Sequence, residues 1–260
     1  MGNINSRFKL RKTKPKPQLI PKKSQEFVNE EKELADYYLS NNDFNDLDRQ
    51  HMHNFIIKYI FQGSFSAPVE ENLTLGCKVL DVACGPATWL LDLASKYENS
   101  IFFGLDIKPI FPREIKPSNL KFVQADILNR LPFRDNNFEF THIESMVNIL
   151  TTGQWDFVLS ELIRSIIHLN SILESKQNIG TVHRDEKIVI FGPNGGKAGL
   201  TYQEVVTLFL TTNLAVKELS AEMRIPEERF KKMIEYLKEE LKGNYTSKGH
   251  VLRFWAQKIR

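Results

Sequence analysis

The stretch Lys78-Val79-Leu80-Asp81-Val82-Ala83-Cys84-Gly85-Pro86-Ala87 decides the fold of this 260-residue chain. Residues 79–82 form a short, mainly apolar run, which predicts a buried strand. Residues 83–87 are small and predict a tight turn. Residues 88–97 follow as a helix with an apolar face, and together the three pieces predict a strand–turn–helix unit that begins an α/β sheet.

The same alternation continues along the chain. Further buried strands are predicted at residues 101–105, 120–123 and 138–141, and a helix runs from about residue 154 into the 170s. Strands that alternate with helices form parallel βαβ units. The fold class is therefore α/β, with a Rossmann-like doubly wound sheet and helices on both faces.

Residues with nucleoside-binding chemistry follow the first three strands. In an open α/β sheet, ligands bind at the carboxyl ends of the strands. The small-residue turn allows close approach of a ligand, Asp106 can accept both hydroxyls of a ribose, and Asp126 can take an adenine amino group. A dinucleotide site requires G-x-G-x-x-G, and only Gly85 is present. S-adenosylmethionine has no phosphate and places fewer demands on this turn.

With these residues the chain resembles the class I S-adenosylmethionine-dependent methyltransferases. It is most similar to the fungal branch that includes regulators of secondary metabolism. The similarity spans roughly residues 46–260, and it depends on an ordered set of short motifs rather than on any one of them. These are residues 48–51, 78–85, 104–107, 109–112, 117–120, 124–127, 138–142, 154–155, 161–164, 195–197 and 253–258.

The resemblance implies a cofactor site made of Ala83, Gly85, Asp106, Ile107, Asp126 and Ile127. The backbone of residues 83–85 would pass under the methionine portion, and Asp106 would hold the ribose. Ile107, Asp126 and Ile127 would contact the adenine. The helix that carries Asp48 and Arg49 would cover the cofactor as a lid.

Two departures from the family pattern carry expectations of their own. The family turn is D-x-G-x-G-x-G, whereas this chain has alanine at positions 83 and 87. A left-handed L-residue costs about 1–2 kcal/mol, so we expect weakened cofactor binding. The family's K-P-G-G segment after Arg164 is replaced by an uninterrupted run through residue 173. We therefore expect the usual strand five to be missing, with either residues 186–191 in its place or a reduced sheet.

His142 and Glu144 are the candidate catalytic residues, because they come just after predicted strand four, where a methyl acceptor would arrive. Either could orient or deprotonate the acceptor. The alternative is a surface histidine and glutamate in a loop. Two functions stay open: a methyltransferase for an unidentified small-molecule or protein acceptor, and a degenerate, non-catalytic binding or regulatory protein.

Several other patterns are assigned structural roles. Residues 46–61 predict a helix with Phe55, Ile56, Tyr59 and Ile60 as its apolar face, and residues 201–216 and 226–241 predict two amphipathic helices. Residues 192–198 are one residue short of a phosphate-binding loop and are read as a turn after a strand. Cys84 is read as a small buried thiol, and no metal site is proposed.

The charge is divided between a tail and a body. Residues 1–25 contain eight of the 35 basic residues and no acidic one, so residues 26–260 hold 27 basic and 32 acidic residues, a net of −5. The tail is predicted to be disordered, residues 26–76 to form helices covering the cofactor site, and residues 77–260 to form the methyltransferase-like domain. An acidic body argues against nucleic-acid binding.

The tail also suggests a location. Gly2, with Ser6 four positions later, fits an N-myristoylation start, and the basic residues that follow could supply the second membrane signal on an anionic surface. A solvated leader with a chance Met-Gly start is the alternative, and nuclear import is a third reading. We expect a cytoplasmic protein, attached to the cytoplasmic face of a membrane if Gly2 is acylated.

Overall fold

The computed structural model describes residues 44–146, 149–166, 181–243 and 247–258. The expectations for residues 1–25, Gly2 included, and for residues 26–43 of the predicted helical segment 26–76 lie outside these residues. The described helices are α1 Phe44–Phe61, α2 Glu70–Leu75, α3 Thr88–Lys96, α4 Thr152–Ser165, α5 Gly196–Leu210, α6 Asn213–Glu222 and α7 Glu227–Lys242. The strands are β1 Lys78–Val82, β2 Ile101–Asp106, β3 Leu120–Gln124, β4 Phe140–Ile143, β5 His183–Ile190 and β6 Lys248–Trp255.

The first four strands form one parallel sheet in the order β3-β2-β1-β4. The order reverses at β1, which pairs with β2 on one side and with β4 on the other. This reversal opens a crevice at the carboxyl ends of β1 and β4, which is where α/β sheets bind ligands. The predicted fold class is confirmed.

Both faces of this sheet are covered by helices. Successive strand residues point to opposite sides, so each strand contributes apolar side chains to both faces. On one face Val79, Phe102 and Leu120 are buried with Leu90 and Leu93 of α3. On the opposite face, Leu80 of β1 and Leu105 of β2 are buried with Val158 and Leu162 of α4. The apolar runs that predicted buried strands therefore reflect burial on two sides.

The last two strands form a separate antiparallel ribbon. Strand β5 pairs with β6 along its full length, from His183 opposite Trp255 to Ile190 opposite Lys248. Residues 186–191 therefore do not replace strand five in the parallel sheet, and that alternative is wrong. Among the described residues, the outer edge of β4 is extended only by a bridge between Phe138 and Ile166, so the sheet they form is the reduced, four-stranded one.

Helix α1 links the sheet to the ribbon, and its buried face differs from the predicted one. Phe55 and Tyr59 are exposed, whereas Ile56 and Ile57 are buried. Ile57 packs with Val189 and Val251 of the ribbon. The prediction is confirmed for Ile56 and Ile60, which are buried or partly buried. It is wrong for Phe55 and Tyr59, because the ribbon, distant in sequence, covers the Ile57 side of the helix.

Three predicted boundaries also differ from the structure. Strand β4 is displaced by two residues toward His142, because its pairing with β1 sets Val79 opposite Phe140. Helix α4 ends at Ser165, where Ile166 takes an extended conformation and bridges to residue 138, rather than continuing into the 170s. The helix predicted over 201–216 is two helices, because Thr212 caps the second one.

No helix among the described residues has the length and apolar character needed to cross a membrane.

Candidate functional site

The turn after β1 holds three residues in the left-handed region. The φ angles are +58° at Ala83, +52° at Gly85 and +63° at Ala87. Glycine adopts this conformation without cost, while an alanine there is strained. The family pattern of three alternating glycines thus corresponds to three left-handed positions, and this chain keeps the backbone shape with alanine at two of them.

Asp106, at the end of β2, is bound to this turn. Its carboxylate accepts the backbone N–H of Gly85 at 2.8 Å and the backbone N–H of Lys108 at 2.8 Å. Burial raises the pKa of Asp106, and the two backbone hydrogen bonds act in the opposite direction. Each carboxylate oxygen can accept a second hydrogen bond, so Asp106 retains capacity for a hydroxyl pair.

The remaining predicted cofactor residues lie at the ends of β2 and β3. Asp126 follows β3 and accepts hydrogen bonds from the Leu128 backbone N–H and the Asn129 side chain. Ile127 is buried, and the Ile107 carbonyl accepts a hydrogen bond from Gln124. The parallel sheet thus brings the predicted residues to one edge, the carboxyl ends of β1, β2 and β3.

Helix α1 lies against the turn. A Cβ at position 85 would collide with Oε1 of Gln50, so the Gln50 amide stands directly over Gly85. One residue further, His51 Nδ1 lies 2.6 Å from Thr88 Oγ1 at the start of α3. Arg49 pairs with Asp46 at 2.7 Å, and Asp48 is exposed. The residue of α1 that reaches the turn is Gln50, not Asp48 or Arg49.

His142 is paired with Asp81 across two strands. The β1–β4 register sets Asp81 directly opposite His142, and His142 Nδ1 lies 2.8 Å from Asp81 Oδ1. The Trp89 ring stacks on His142, with centroids 4.0 Å apart and planes inclined by 6°. Because β4 extends past the predicted strand end, His142 lies inside the strand rather than in a loop.

Glu144 extends this pair toward α1. Its Oε2 lies 3.6 Å from His142 Nε2, and its Oε1 lies 3.3 Å from Nδ1 of His53. The chain turns sharply at the next residue, Ser145, which has φ +61°. Strained non-glycine residues of this kind cluster at functional sites. We call the chain of side chains Asp81, His142, Glu144 and His53 the carboxyl-end cluster.

The cluster is electrostatically coupled. Burial acts to lower the pKa of His142, but the charge and hydrogen bond of Asp81 together with the Glu144 charge raise it above its ordinary value. Burial acts to raise the pKa of Glu144, but His53 and His142 lower it. Both shifts favour a charged His142 beside an ionised Glu144, while burial raises the pKa of Asp81.

Other sequence interpretations are resolved structurally. Burial raises the pKa of the Cys84 thiol, with the Asp81 and Asp106 charges adding to the effect, so this cysteine is not activated. Gly195 and Gly199 lie against the Ile190 carbonyl, where a Cβ would collide, so these glycines serve packing after β5. Among the described residues, no group of three or more His, Cys, Asp or Glu side chains is arranged to hold a metal ion.

Sequence reasoning missed three residues of this site. Gln50 and His53 lie three positions apart on α1, so they share a helix face. That spacing was a usable signal, but nothing in the sequence says what the face meets. Trp89 belongs to the predicted helix of residues 88–97 and is buried, yet one face of its ring is against His142.

Residues 79–167 match the family model described as a methyltransferase domain. The matched stretch contains the left-handed turn, Asp106, Asp126 and the His142–Glu144 pair. Residues 79–167 are therefore similar to a methyltransferase domain, and this similarity supports a relation to the class I S-adenosylmethionine-dependent methyltransferases, whose cofactor is S-adenosylmethionine.

Individual relatives match parts of the chain. It is 36% identical over 78 residues to the secondary metabolism regulator LAE1 of Cochliobolus heterostrophus, covering 30% of this chain and 25% of that protein. It is 30% identical over 107 residues to methyltransferase str3 of Strobilurus tenacellus, covering 41% and 36%. A solved TehB-like S-adenosylmethionine-dependent methyltransferase from Corynebacterium glutamicum is 14% identical, with 76% and 84% covered and a TM-score of 0.31. The matches with these two relatives span between a quarter and about a third of their length.

The residues present fit S-adenosylmethionine. Asp106 has acceptor capacity at the end of β2, where it is hydrogen-bonded to the turn, and the absence of a Cβ at Gly85 leaves a space that only the flexible end of Gln50 enters. The turn carries no lysine or phosphate-binding glycine pair, in keeping with a cofactor that has no phosphate.

Proposed function

We propose that this protein is an S-adenosylmethionine-dependent methyltransferase that acts on a small-molecule or protein acceptor not yet identified. The observation that carries the proposal is the turn of residues 83–87, left-handed at three positions and hydrogen-bonded through Gly85 to Asp106. The turn presents backbone, and Asp106 a carboxylate, at the carboxyl ends of β1 and β2.

In this proposal the chain's residues act mainly by positioning, which is the principal contribution an enzyme makes to a displacement at carbon. The cofactor supplies the methyl group. Asp106 would hold the ribose hydroxyls, and Asp126 the adenine amino group, with Ile107 and Ile127 against the adenine ring. His142 and Glu144 would face the acceptor at the end of β4.

Calorimetry with S-adenosylmethionine tests the cofactor role. We expect binding by the wild-type chain and at least a tenfold loss in Asp106→Asn, because the variant removes the charge while keeping the side-chain shape. Asp156→Asn is the matched control, since Asp156 is exposed on α4 and should leave affinity unchanged. No binding by the wild-type chain at millimolar ligand would refute the proposal.

A non-catalytic binding or regulatory protein is the second candidate. The observation in its favour is the reduced sheet, in which β5 and β6 form a ribbon instead of extending the sheet beyond β4. Binding of S-adenosylmethionine with no methyl transfer to any acceptor in an extract of the source cells, followed with a labelled methyl group, would support this candidate.

We further propose that residues 1–25 hold the protein at the cytoplasmic face of an anionic membrane, through acylation of Gly2 and the basic side chains that follow. A single myristoyl chain binds only marginally, and a basic patch adds about 1 kcal/mol per residue. Intact-mass measurement after expression in a eukaryotic cell tests this. An unmodified Gly2 would contradict the proposal and leave a cytoplasmic or nuclear protein with a solvated leader.

A further inference from the structure

The carboxyl-end cluster is an ordered chain that runs from the protein interior toward α1. The exposed fraction of the side chains rises from 6% at Asp81 through 18% at His142 to 27% at Glu144 and 23% at His53. The inner end is therefore fixed by burial, and the outer end is accessible to another molecule.

His142 faces a carboxylate at each of its ring nitrogens. Nδ1 faces Asp81 at 2.8 Å and Nε2 faces Glu144 at 3.6 Å, while Trp89 covers one face of the ring. A charged imidazole between two carboxylates carries a proton on each nitrogen and has no lone pair to accept another from an acceptor molecule. His142 therefore acts through Glu144, as a positioning residue.

His53 has the arrangement of a general base. Its Nδ1 lies 3.3 Å from Glu144 Oε1 and 3.4 Å from Ser145 Oγ. A carboxylate beside Nδ1 of a histidine fixes the tautomer that leaves Nε2 as proton acceptor, and it stabilises the imidazolium that forms. The nearby cation from another element is Arg253 of β6, which lies close enough to lower the pKa of Glu144 and keep it ionised.

Helix α1 brings this base to the cofactor turn. Gln50 stands over Gly85, and His53 lies three residues further along the same face, about 4.5 Å along the helix axis. His51, between them, is engaged with Thr88. One helix thus carries both a residue that covers the cofactor turn and a residue next to Glu144.

We propose that His53 is the catalytic base, oriented by Glu144, a role that rests on the proposed function. The acceptor atom then bears a proton, as a hydroxyl oxygen does. The acceptor atom forms its bond to the methyl carbon as the carbon–sulfur bond of the sulfonium breaks. The sulfur keeps the electron pair of that bond, and the acceptor's proton passes to Nε2 of His53. Acceptors that lose no proton, such as thioethers and tertiary amines, need no such base.

A pair of cofactor analogues tests this without knowledge of the acceptor. S-adenosylhomocysteine lacks the transferred methyl group, whereas sinefungin carries an amine in its place. Calorimetry of both ligands is made on the full chain and on His53→Gln, Glu144→Gln and His142→Gln, with His250→Gln as the matched control, because His250 is exposed and pairs with Glu186 on the ribbon.

We expect the affinity for sinefungin to fall at least tenfold in Glu144→Gln and about fivefold in His53→Gln. The affinity of both variants for S-adenosylhomocysteine should change less than twofold. His142→Gln should partly lower the preference for sinefungin over S-adenosylhomocysteine, because Glu144 loses its contact with the His142 ring. His250→Gln should change neither affinity. In the wild-type chain, the ring ¹⁵N signals of His53 should move on adding sinefungin and stay in place on adding S-adenosylhomocysteine, a measurement that needs no variant.

If the variants of His53 and Glu144 bind both ligands equally more weakly, or bind both as the wild type does, the role of His53 is overturned and the proposed function stays intact. Unmoved ¹⁵N signals of His53 in wild-type protein that binds sinefungin would do the same. If the wild-type chain binds neither analogue, the proposed function itself fails and this inference fails with it.

Discussion

The structure changes the expectation that the two alanines of the cofactor turn weaken cofactor binding: they should affect folding and leave cofactor affinity almost unchanged. Ala83 and Ala87 already have φ angles of +58° and +63° without any ligand. The conformational cost is therefore present in the folded chain and is not added when a ligand binds. Substitution by glycine at Ala83 removes that cost, because glycine adopts the left-handed region readily.

The expected magnitudes differ between the two positions. A left-handed alanine costs about 1–2 kcal/mol, and the greater freedom of glycine in the unfolded chain offsets part of the gain. Ala83→Gly should therefore raise the free energy of unfolding by about 1 kcal/mol, or Tm by roughly 2–4 °C for a domain of this size. Ala87 is completely buried, so Ala87→Gly also loses a methyl group worth about 0.8 kcal/mol, and its net effect should be near zero.

Denaturant unfolding of the wild type, the two variants and Gly85→Ala measures these differences. Gly85→Ala should act in the opposite direction, losing about 1–2 kcal/mol and also displacing Gln50. Titration with S-adenosylmethionine on the same samples should give affinities for wild type and Ala83→Gly within twofold. A tenfold tighter complex for Ala83→Gly, with unchanged stability, would show that the turn rearranges on binding and would refute the reasoning.

Three further results are expected. Arg164→Ala should lower the free energy of unfolding by about 3 kcal/mol, because it leaves the largely buried Glu161 carboxylate without its cation; a loss as small as that of a surface ion pair would contradict this. Thr151→Ala removes the capping box of α4 and should cost about 1 kcal/mol in chemical denaturation, and an unmoved midpoint would count against the cap. His142 has a folded-state pKa raised by Asp81, so its stabilising contribution is complete below the unfolded pKa of about 6.5 and is lost as pH rises through the folded value. The stability difference between wild type and His142→Gln should therefore shrink from pH 6 toward pH 9, and a difference independent of pH would exclude the linkage.

Much of the candidate site could be predicted because its residues are defined by local patterns. The strand–turn–helix unit at Lys78–Lys96 and the acids at the ends of β2 and β3 depend on short runs whose meaning does not require distant contacts. The positions of His142 and Glu144 were predicted from the end of an apolar run. Their environment was not, because the true end of β4 depends on its register with β1, 61 residues away in the pair Asp81–His142.

The sequence by itself determined the α/β class, the small-residue turn and the acidic residues beside it, since residue size, charge and hydrophobic periodicity are local properties. Only the tertiary structure decided which face of α1 is buried, that β5 and β6 form a ribbon outside the sheet, and that His53 meets Glu144. These outcomes depend on which distant surfaces compete to cover the same apolar area and on strand register. No pattern within a window of ten or twenty residues contains that information.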